Sequence, residues 1–194
     1  GADQRRQLVD DLLISFSPNN ADLIADFRKA LKTRNKVLKN FLAGDTPKNE
    51  TEALLESLNP TFLRLSTELS VARITALRGI HAEFNKAMKN ISRRDNVDIS
   101  VEYVISGENA MNFDAEKVYF SLKKRLNELR DAELASGSSL VGPQKHDVIF
   151  LYDENDSRFY CSQGQQRALI LSFKMAQIVY HRRVHETYPF LMLD

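Results

Sequence analysis

Seven residues, Cys161-Ser162-Gln163-Gly164-Gln165-Gln166-Arg167, combine the side-chain types that bind anions. Ser162 and Gly164 open a long apolar helical pattern, and the first N–H groups of a helix have no partner inside it. Those groups, the positive end of the helix dipole and a serine hydroxyl together make a phosphate site. The last residues are Pro189-Phe190-Leu191-Met192-Leu193-Asp194. By themselves they are an apolar run ending in a carboxylate, and a terminal Asp such as Asp194 is usually exposed and idle. Gln165, Gln166 and Arg167 add donors for a nucleotide or a partner subunit, and Arg167 equally suits a solvated first turn. Ser162 and Gln165 also spell Ser-x-x-Gln, a helix capping box. The two readings are compatible, because the cap pre-organises the anion site.

Other residues carry weaker signals. Arg28, Lys29, Lys32, Lys36 and Lys39 run along one helix away from its apolar stripe. Such a run is a solvated face or a surface for duplex DNA phosphates. Lys145 and Asp147 lie in a turn, where a salt-bridged staple and a contact to DNA or nucleotide are both open. His181 and His185 stand at i, i+4, a zinc spacing. Cations at the negative end of a helix account for them more simply. Cys161 reads as a small apolar packer. Asn49-Glu50-Thr51 spells a glycosylation sequon, which has no meaning in a cytosolic chain.

The elements that must position these residues fall into two stretches. Residues 3–16 carry a helical stripe of Leu8, Val9, Leu12, Leu13 and Phe16, with Asp3 as the expected N-cap. A second helix is expected over 21–43, capped by Asn20 and stopped by Gly44. A third begins near Thr51 and meets Pro60, which is expected to kink or restart it before the pattern continues to Ile91. Residues 97–105 alternate as a half-exposed strand, and a charged helix is expected over 114–134. Residues 148–152 and 158–160 flank the acidic turn Asp153-Glu154-Asn155-Asp156 and read as a hairpin that delivers Ser162. The helix over 164–184 is apolar around most of its circumference, so it is expected to be buried. The organisation is mixed α+β: a helical subdomain over 1–93, then an α/β lobe over 94–194.

Composition sets the outer bounds. With 194 residues, 43% hydrophobic and 27% charged, the chain suits one large or two small globular domains. A net charge of +1 excludes a strongly basic, histone-like binder, but a local patch still permits nucleic acid. One cysteine precludes an intrachain disulfide and points to a reducing compartment. No apolar run spans a bilayer and no signal-peptide layout opens the chain, so a cytoplasmic, nucleoid-associated location and no membrane partner are expected. None of the seven glycines precedes a lysine, so no phosphate-cradling Gly-Lys loop is present. Half of a nucleotide site without the other half implies a fragment of a longer protein.

The order of the Ser-x-Gly loop and the apolar strand resembles the signature motif and Walker B strand of ABC-type ATPases. The wording Ser162-Gln163-Gly164-Gln165-Gln166-Arg167 is similar to the RecF family of DNA-repair proteins. Three further landmarks keep the family's order. Gly1-Ala2-Asp3-Gln4-Arg5-Arg6-Gln7-Leu8-Val9-Asp10 resembles its Gly-Pro-x-x-Arg-Arg-x-x-x-Asp, with Ala2 in place of proline. Arg34-Asn35 before apolar residues matches a second. Gly142-Pro143-Gln144-Lys145-His146-Asp147 resembles its Gly-Pro-His-Lys/Arg-x-Asp, with Gln144 where histidine is usual.

The resemblance implies a long-helix subdomain joined to the C-terminal part of an ABC-type ATPase head. It implies ATP and Mg²⁺ as ligands of the intact protein, with Ser162 to Arg167 acting in trans and Asp194 on the metal. The intact protein would be a weak ATPase whose general-base carboxylate follows Asp194, leaving no catalytic residue here. It implies an ATP-dependent homodimer, binding to double-stranded DNA and single/double-strand junctions, RecR and RecO as partners, and RecA loading at gaps. Two alternatives stand beside it: a helical protein-interaction module that uses 51–92 indifferently to nucleotide, and another SMC-like ATPase head.

Overall fold

The computed structural model of the chain describes residues 1–187. Within them, seven helices and one four-stranded antiparallel sheet follow in mixed order. The helix α1 (Ala2–Phe16) buries Val9, Leu12 and Leu13, the stripe set by its three-and-four spacing. Its N-cap is Gly1, and the expected cap Asp3 lies inside the first turn, paired with Arg6. The next helix, α2 (Asn19–Leu42), buries Ile24, Phe27 and Leu38. Asn20 does not cap it; its side chain donates to the Leu13 carbonyl at 2.7 Å and ties α2 to the end of α1.

The longest element is α3 (Lys48–Ser92), 45 residues in one helix with Pro60 inside it. The helix does not restart at the proline. Proline in a helix interior costs about 3 kcal/mol. Leu55 before it and Phe62, Leu63, Leu65 and Leu69 after it are all buried, and each such side chain contributes about 1.5–3 kcal/mol. Burial on both sides therefore outweighs the local penalty. The helix is the axis of the fold and packs against α1, α2, the strand β1 (Ile99–Ile105) and the helices α4 (Ala115–Glu128) and α7 (Gln163–His185).

The sheet runs β2-β1-β3-β4, formed by β1 (Ile99–Ile105), β2 (Glu108–Asn109), β3 (Asp147–Tyr152) and β4 (Asn155–Asp156). Its spine is the β1–β3 pair, from Ile99 opposite Tyr152 to Val104 opposite Asp147. Along β1 every second residue is buried, as the period-two pattern required. Between β1 and β3 the expected single charged helix is two, α4 (Ala115–Glu128) and α5 (Arg130–Ser136), divided at Leu129. Asp114 caps α4 by accepting the Lys117 N–H at 2.7 Å.

The turn from β3 to β4 holds Asp153 and Glu154, both at positive φ (47° and 65°), the pattern of a type I′ hairpin. Residues 158–160, expected as strand, instead belong to a one-turn helix, α6 (Ser157–Tyr160). The Asp156 carboxylate accepts the Arg158 N–H at 2.9 Å, an N-cap that starts a helix and ends the hairpin.

One apolar core joins the helices to the sheet. Phe84 of α3, Phe150 of β3 and Phe173 of α7 (Gln163–His185) meet edge to face, with ring centroids 5.5–6.0 Å apart. Only one face of α7 enters it, through Leu169, Phe173 and Ala176. Ile170, Met175, Val179 and Val184 are 40–55% exposed, so the expected burial of the whole helix is not met within the described residues. An all-round apolar helix needs cover on every side. Here α1 and α3 supply it on one side only. Among the described residues no helix is long and apolar enough to cross a membrane.

Candidate functional site

The Ser162 loop sits where α6 hands over to α7. Ser162 is the N-cap of α7: its Oγ accepts the Gln165 N–H at 3.3 Å, and the Gln165 Oε1 accepts the Ser162 N–H at 2.9 Å. The capping box expected from Ser-x-x-Gln is therefore closed on both sides. The Gln166 N–H reaches the Ser162 carbonyl at 2.9 Å, so the third and fourth helical donors are used within the chain. The N–H groups of Gln163 and Gly164 have no acceptor among the described residues. Ser162, Gln163, Gly164 and Arg167 are exposed, and Gln165 and Gln166 are half-buried.

Gln166 faces inward. Its amide donates to the carbonyls of Ser157 at 3.3 Å and Cys161 at 3.2 Å, fastening both ends of α6 to the first turn of α7. Gly164 does the opposite. A Cβ built there meets nothing nearer than the Ser162 Oγ at 3.9 Å, so no atom of the described chain requires a glycine. Cys161 is buried and free, and burial followed by the Asp153 charge pushes its thiol up. Sequence periodicity gave no warning that Phe159 and Tyr160, 86% and 58% exposed, flank the loop.

Two landmarks far apart in sequence meet beside the loop. Arg5 donates to the Asp147 Oδ1 at 2.7 Å, and Arg6 to the His146 carbonyl at 2.7 Å. The other oxygen of Asp147 takes Arg158 of α6 at 3.3 Å. Partial burial pushes the Asp147 carboxyl up, but the Arg5 hydrogen bond, the Val148 amide and the two arginine charges hold it below the usual range. Asp147 thus pairs with arginines on α1 and α6, and Lys145 is exposed beside it. Between α1, β3, α6 and α7 an open cleft of about 480 Å³ has Arg5 and Arg158 on its lining.

Beneath this surface lies a buried polar chain. Asp10 accepts Arg73 at 2.9 Å, Arg73 donates to the Pro143 carbonyl at 3.0 Å and the Tyr103 hydroxyl at 3.3 Å, and that hydroxyl meets His146 Nδ1 at 2.9 Å. Burial, then the charges of Arg73 and Arg6, lowers His146 to about 3. It is a neutral imidazole hydrogen-bonded to the Tyr103 hydroxyl. The Arg34-Asn35 landmark is likewise internal. Arg34, 2% exposed, pairs with Glu133 at 2.6 Å and donates to Ser139 Oγ at 2.7 Å, while Asn35 accepts the Ser139 N–H at 2.7 Å.

Apart from the buried Arg34, the basic residues of α2, namely Arg28, Lys29, Lys32, Lys36 and Lys39, are exposed. Arg28, Lys32, Lys36 and Lys39 line an open depression of about 760 Å³ along that helix, with Lys29 to one side. Arg28 also lies 3.8 Å from Asp10, which links this face through Arg73 to the turn that carries Lys145. His181 and His185 both bond the Ser15 carbonyl, at 3.2 and 3.0 Å, and so cap the end of α1. Among the described residues no group of three or more His, Cys, Asp or Glu could hold a metal. Asp194 and the apolar run before it lie outside the described residues.

The long helical axis, the small antiparallel sheet and the Ser162-capped helix with one buried face define a mixed, helix-rich fold class. Solved structures share this fold. The recombination mediator protein RecF-ATP in the RecFOR pathway superposes with a TM-score of 0.86 at 24% identity, covering 100% of this chain and 50% of that one. The RecF-ATPrS structure gives 0.85 at 24%, covering 97% and 49%. No family profile matches the chain. Curated relatives do, among them proteins named DNA replication and repair protein RecF. That of Oceanobacillus iheyensis is 31% identical over 196 residues, covering 100% of this chain and 52% of the relative. Those of Heliobacterium modesticaldum and Synechocystis sp. are each 30% identical, over 98% and 99% of this chain and 50% of each relative. The chain belongs to the RecF family, and it spans about half the length of the curated relatives it matches.

Proposed function

We infer that this chain works within a protein of its relatives' full length, an ATP-regulated DNA-binding protein of recombinational repair. Its own contribution is the signature half of a nucleotide site completed by a second copy. The observation that carries the reading is Gly164. A glycine in a helix costs about 1 kcal/mol relative to alanine. No neighbour within the chain needs it, since a Cβ there would have open space. Close approach of a phosphate to the backbone does need it.

The residues fit a triphosphate. The Ser162 hydroxyl, the Gln163 and Gly164 N–H groups and the exposed Arg167 are all donors, and no acidic residue lies in 162–167. ATP supplies a γ-phosphate for those donors, so ATP bound by one copy would join two. Asp194 would reach Mg²⁺, and hydrolysis would rest on a carboxylate that follows it. Arg28, Lys29, Lys32, Lys36, Lys39 and Lys145 supply a phosphate-contacting surface for duplex DNA and single/double-strand junctions. The RecFOR pathway named for the solved structures supports RecO and RecR as partners, and the family resemblance adds RecA loading at gaps as the outcome.

The test is Gly164→Val in a protein of the relatives' full length that contains this chain. The variant is expected to fold and to bind ATP as a monomer, and to lose ATP-dependent dimerisation. Dimerisation equal to the unsubstituted protein would overturn the reading.

A further inference from the structure

The Arg5, Asp147 and Arg158 cluster is not used by the nucleotide chemistry, yet it ties together α1, β3 and α6 beside the Ser162 loop. We propose that Asp147 is a positioning residue for that loop: it fixes α6, and through α6 the phosphate-binding end of α7, relative to α1. The proposal rests on the signature reading of Ser162 and deepens it.

The connections are continuous. Asp147 opens β3, and its two carboxylate oxygens take different partners, Oδ1 accepting Arg5 at 2.7 Å and Oδ2 accepting Arg158 at 3.3 Å. Arg158 is held a second time by Asp156, with Nε 3.0 Å from both carboxylate oxygens, and Asp156 is also the N-cap of α6. The rotation of that single-turn helix about its axis is therefore set from two sides. Gln166 then grips the carbonyls of Ser157 and Cys161, so α6 and the first turn of α7 move as one piece. Ser162, four residues beyond Arg158, is carried with them.

Nothing apolar does the same work. Phe159 and Tyr160 are exposed, and Ser157 and Cys161 are the residues of this segment that are buried. With so little apolar anchorage, directional charge-assisted hydrogen bonds have to fix the orientation. Arg5 is 18% and Asp147 29% exposed, which limits solvent screening of that pair, while Arg158 at 36% is more open and is held by its fork on Asp156 as well. The same grip explains why Arg5-Arg6 and His146-Asp147 adjoin, since Arg6 holds the His146 carbonyl as Arg5 holds the next side chain.

The experiment measures ATP–Mg²⁺-dependent dimerisation by sedimentation in a protein of the relatives' full length containing this chain. Asp147→Asn, nearly isosteric and still able to accept one hydrogen bond, is expected to weaken the dimer about three- to tenfold. ATP affinity of the monomer should stay unchanged, and the thermal midpoint should fall only by the small amount that a partly exposed ion pair contributes. Arg158→Lys, which keeps the charge and loses the fork, should weaken it comparably. The double variant should be no worse than either alone, because both break one linkage. Ser162→Arg, run in parallel, separates the two claims. If Ser162→Arg abolishes the dimer while Asp147→Asn and Arg158→Lys dimerise normally, the positioning role is overturned and the signature reading stands. If Ser162→Arg also dimerises normally, both are overturned.

Discussion

Acid should destabilise this chain through one buried side chain, and the size of the effect follows from its surroundings. His146 is 4% exposed, shares a hydrogen bond between Nδ1 and the Tyr103 hydroxyl, and faces the cations Arg73 and Arg6. Burial and those charges lower it from 6.5 to about 3. The folded value is depressed, so the folded protein refuses a proton that the unfolded chain accepts below pH 6.5. Stability therefore falls as pH drops through 6.5 and continues to fall until about 3. From pH 7 to pH 5 the loss is about 2 kcal/mol, from the protonation of an unperturbed imidazole in the unfolded state alone. Asp147 does not confuse this window. Its depressed carboxyl contributes stability above 3.8 that disappears only below it. The assay is urea unfolding at fixed ionic strength from pH 7 to pH 5, comparing the natural chain with His146→Asn. Asparagine still offers an acceptor to Tyr103 but does not titrate, so its pH loss should be smaller by about 2 kcal/mol. Superimposable profiles for the two proteins would refute the assignment of a buried neutral imidazole.

Three further outcomes are expected. Arg34→Ala strands the Glu133 carboxylate in the core and should destabilise the chain by about 3–5 kcal/mol in urea unfolding. Glu154→Gly relieves a positive-φ position in the hairpin turn and should stabilise it by roughly 1 kcal/mol in the same assay. Replacing Lys32 and Lys36 with Gln in a protein of the relatives' full length should weaken duplex DNA binding irrespective of sequence. It should also lower the slope of log K against log salt by about 0.9 for each phosphate that is no longer neutralised.

Much of the fold was legible because periodicity is a local property. The alternation in β1 and the three-and-four stripes of α1, α2 and α3 located those elements to within a few residues. The misreadings occurred where a distant neighbour decided the outcome. Pro60 lies inside a continuous helix because Leu55 and Phe62 are both buried. Arg158-Phe159-Tyr160 is helical because Asp156 caps it, and two strand-like aromatics concealed that. The apolar circumference of α7 revealed how much surface needs cover, without saying what supplies it.

The capping box at Ser162 was equally legible, both partners lying within four residues. The grip of Arg5 on Asp147 was not, since 142 residues separate them and neither follows a period. The landmark motifs marked those positions, and only the folded chain reveals that Arg5, Asp10, Arg34 and His146 act through one another or through buried partners.

In the proposed dimer Ser162 meets a nucleotide held by a second copy. Sedimentation velocity with and without ATP–Mg²⁺ probes that contact, comparing Ser162→Arg with the unsubstituted sequence in a protein of the relatives' full length. The expected result is a dimer that forms only with ATP and that the variant cannot form, although it still binds ATP. An ATP-dependent dimer of equal affinity in both would contradict it and leave Ser162 as the cap of α7.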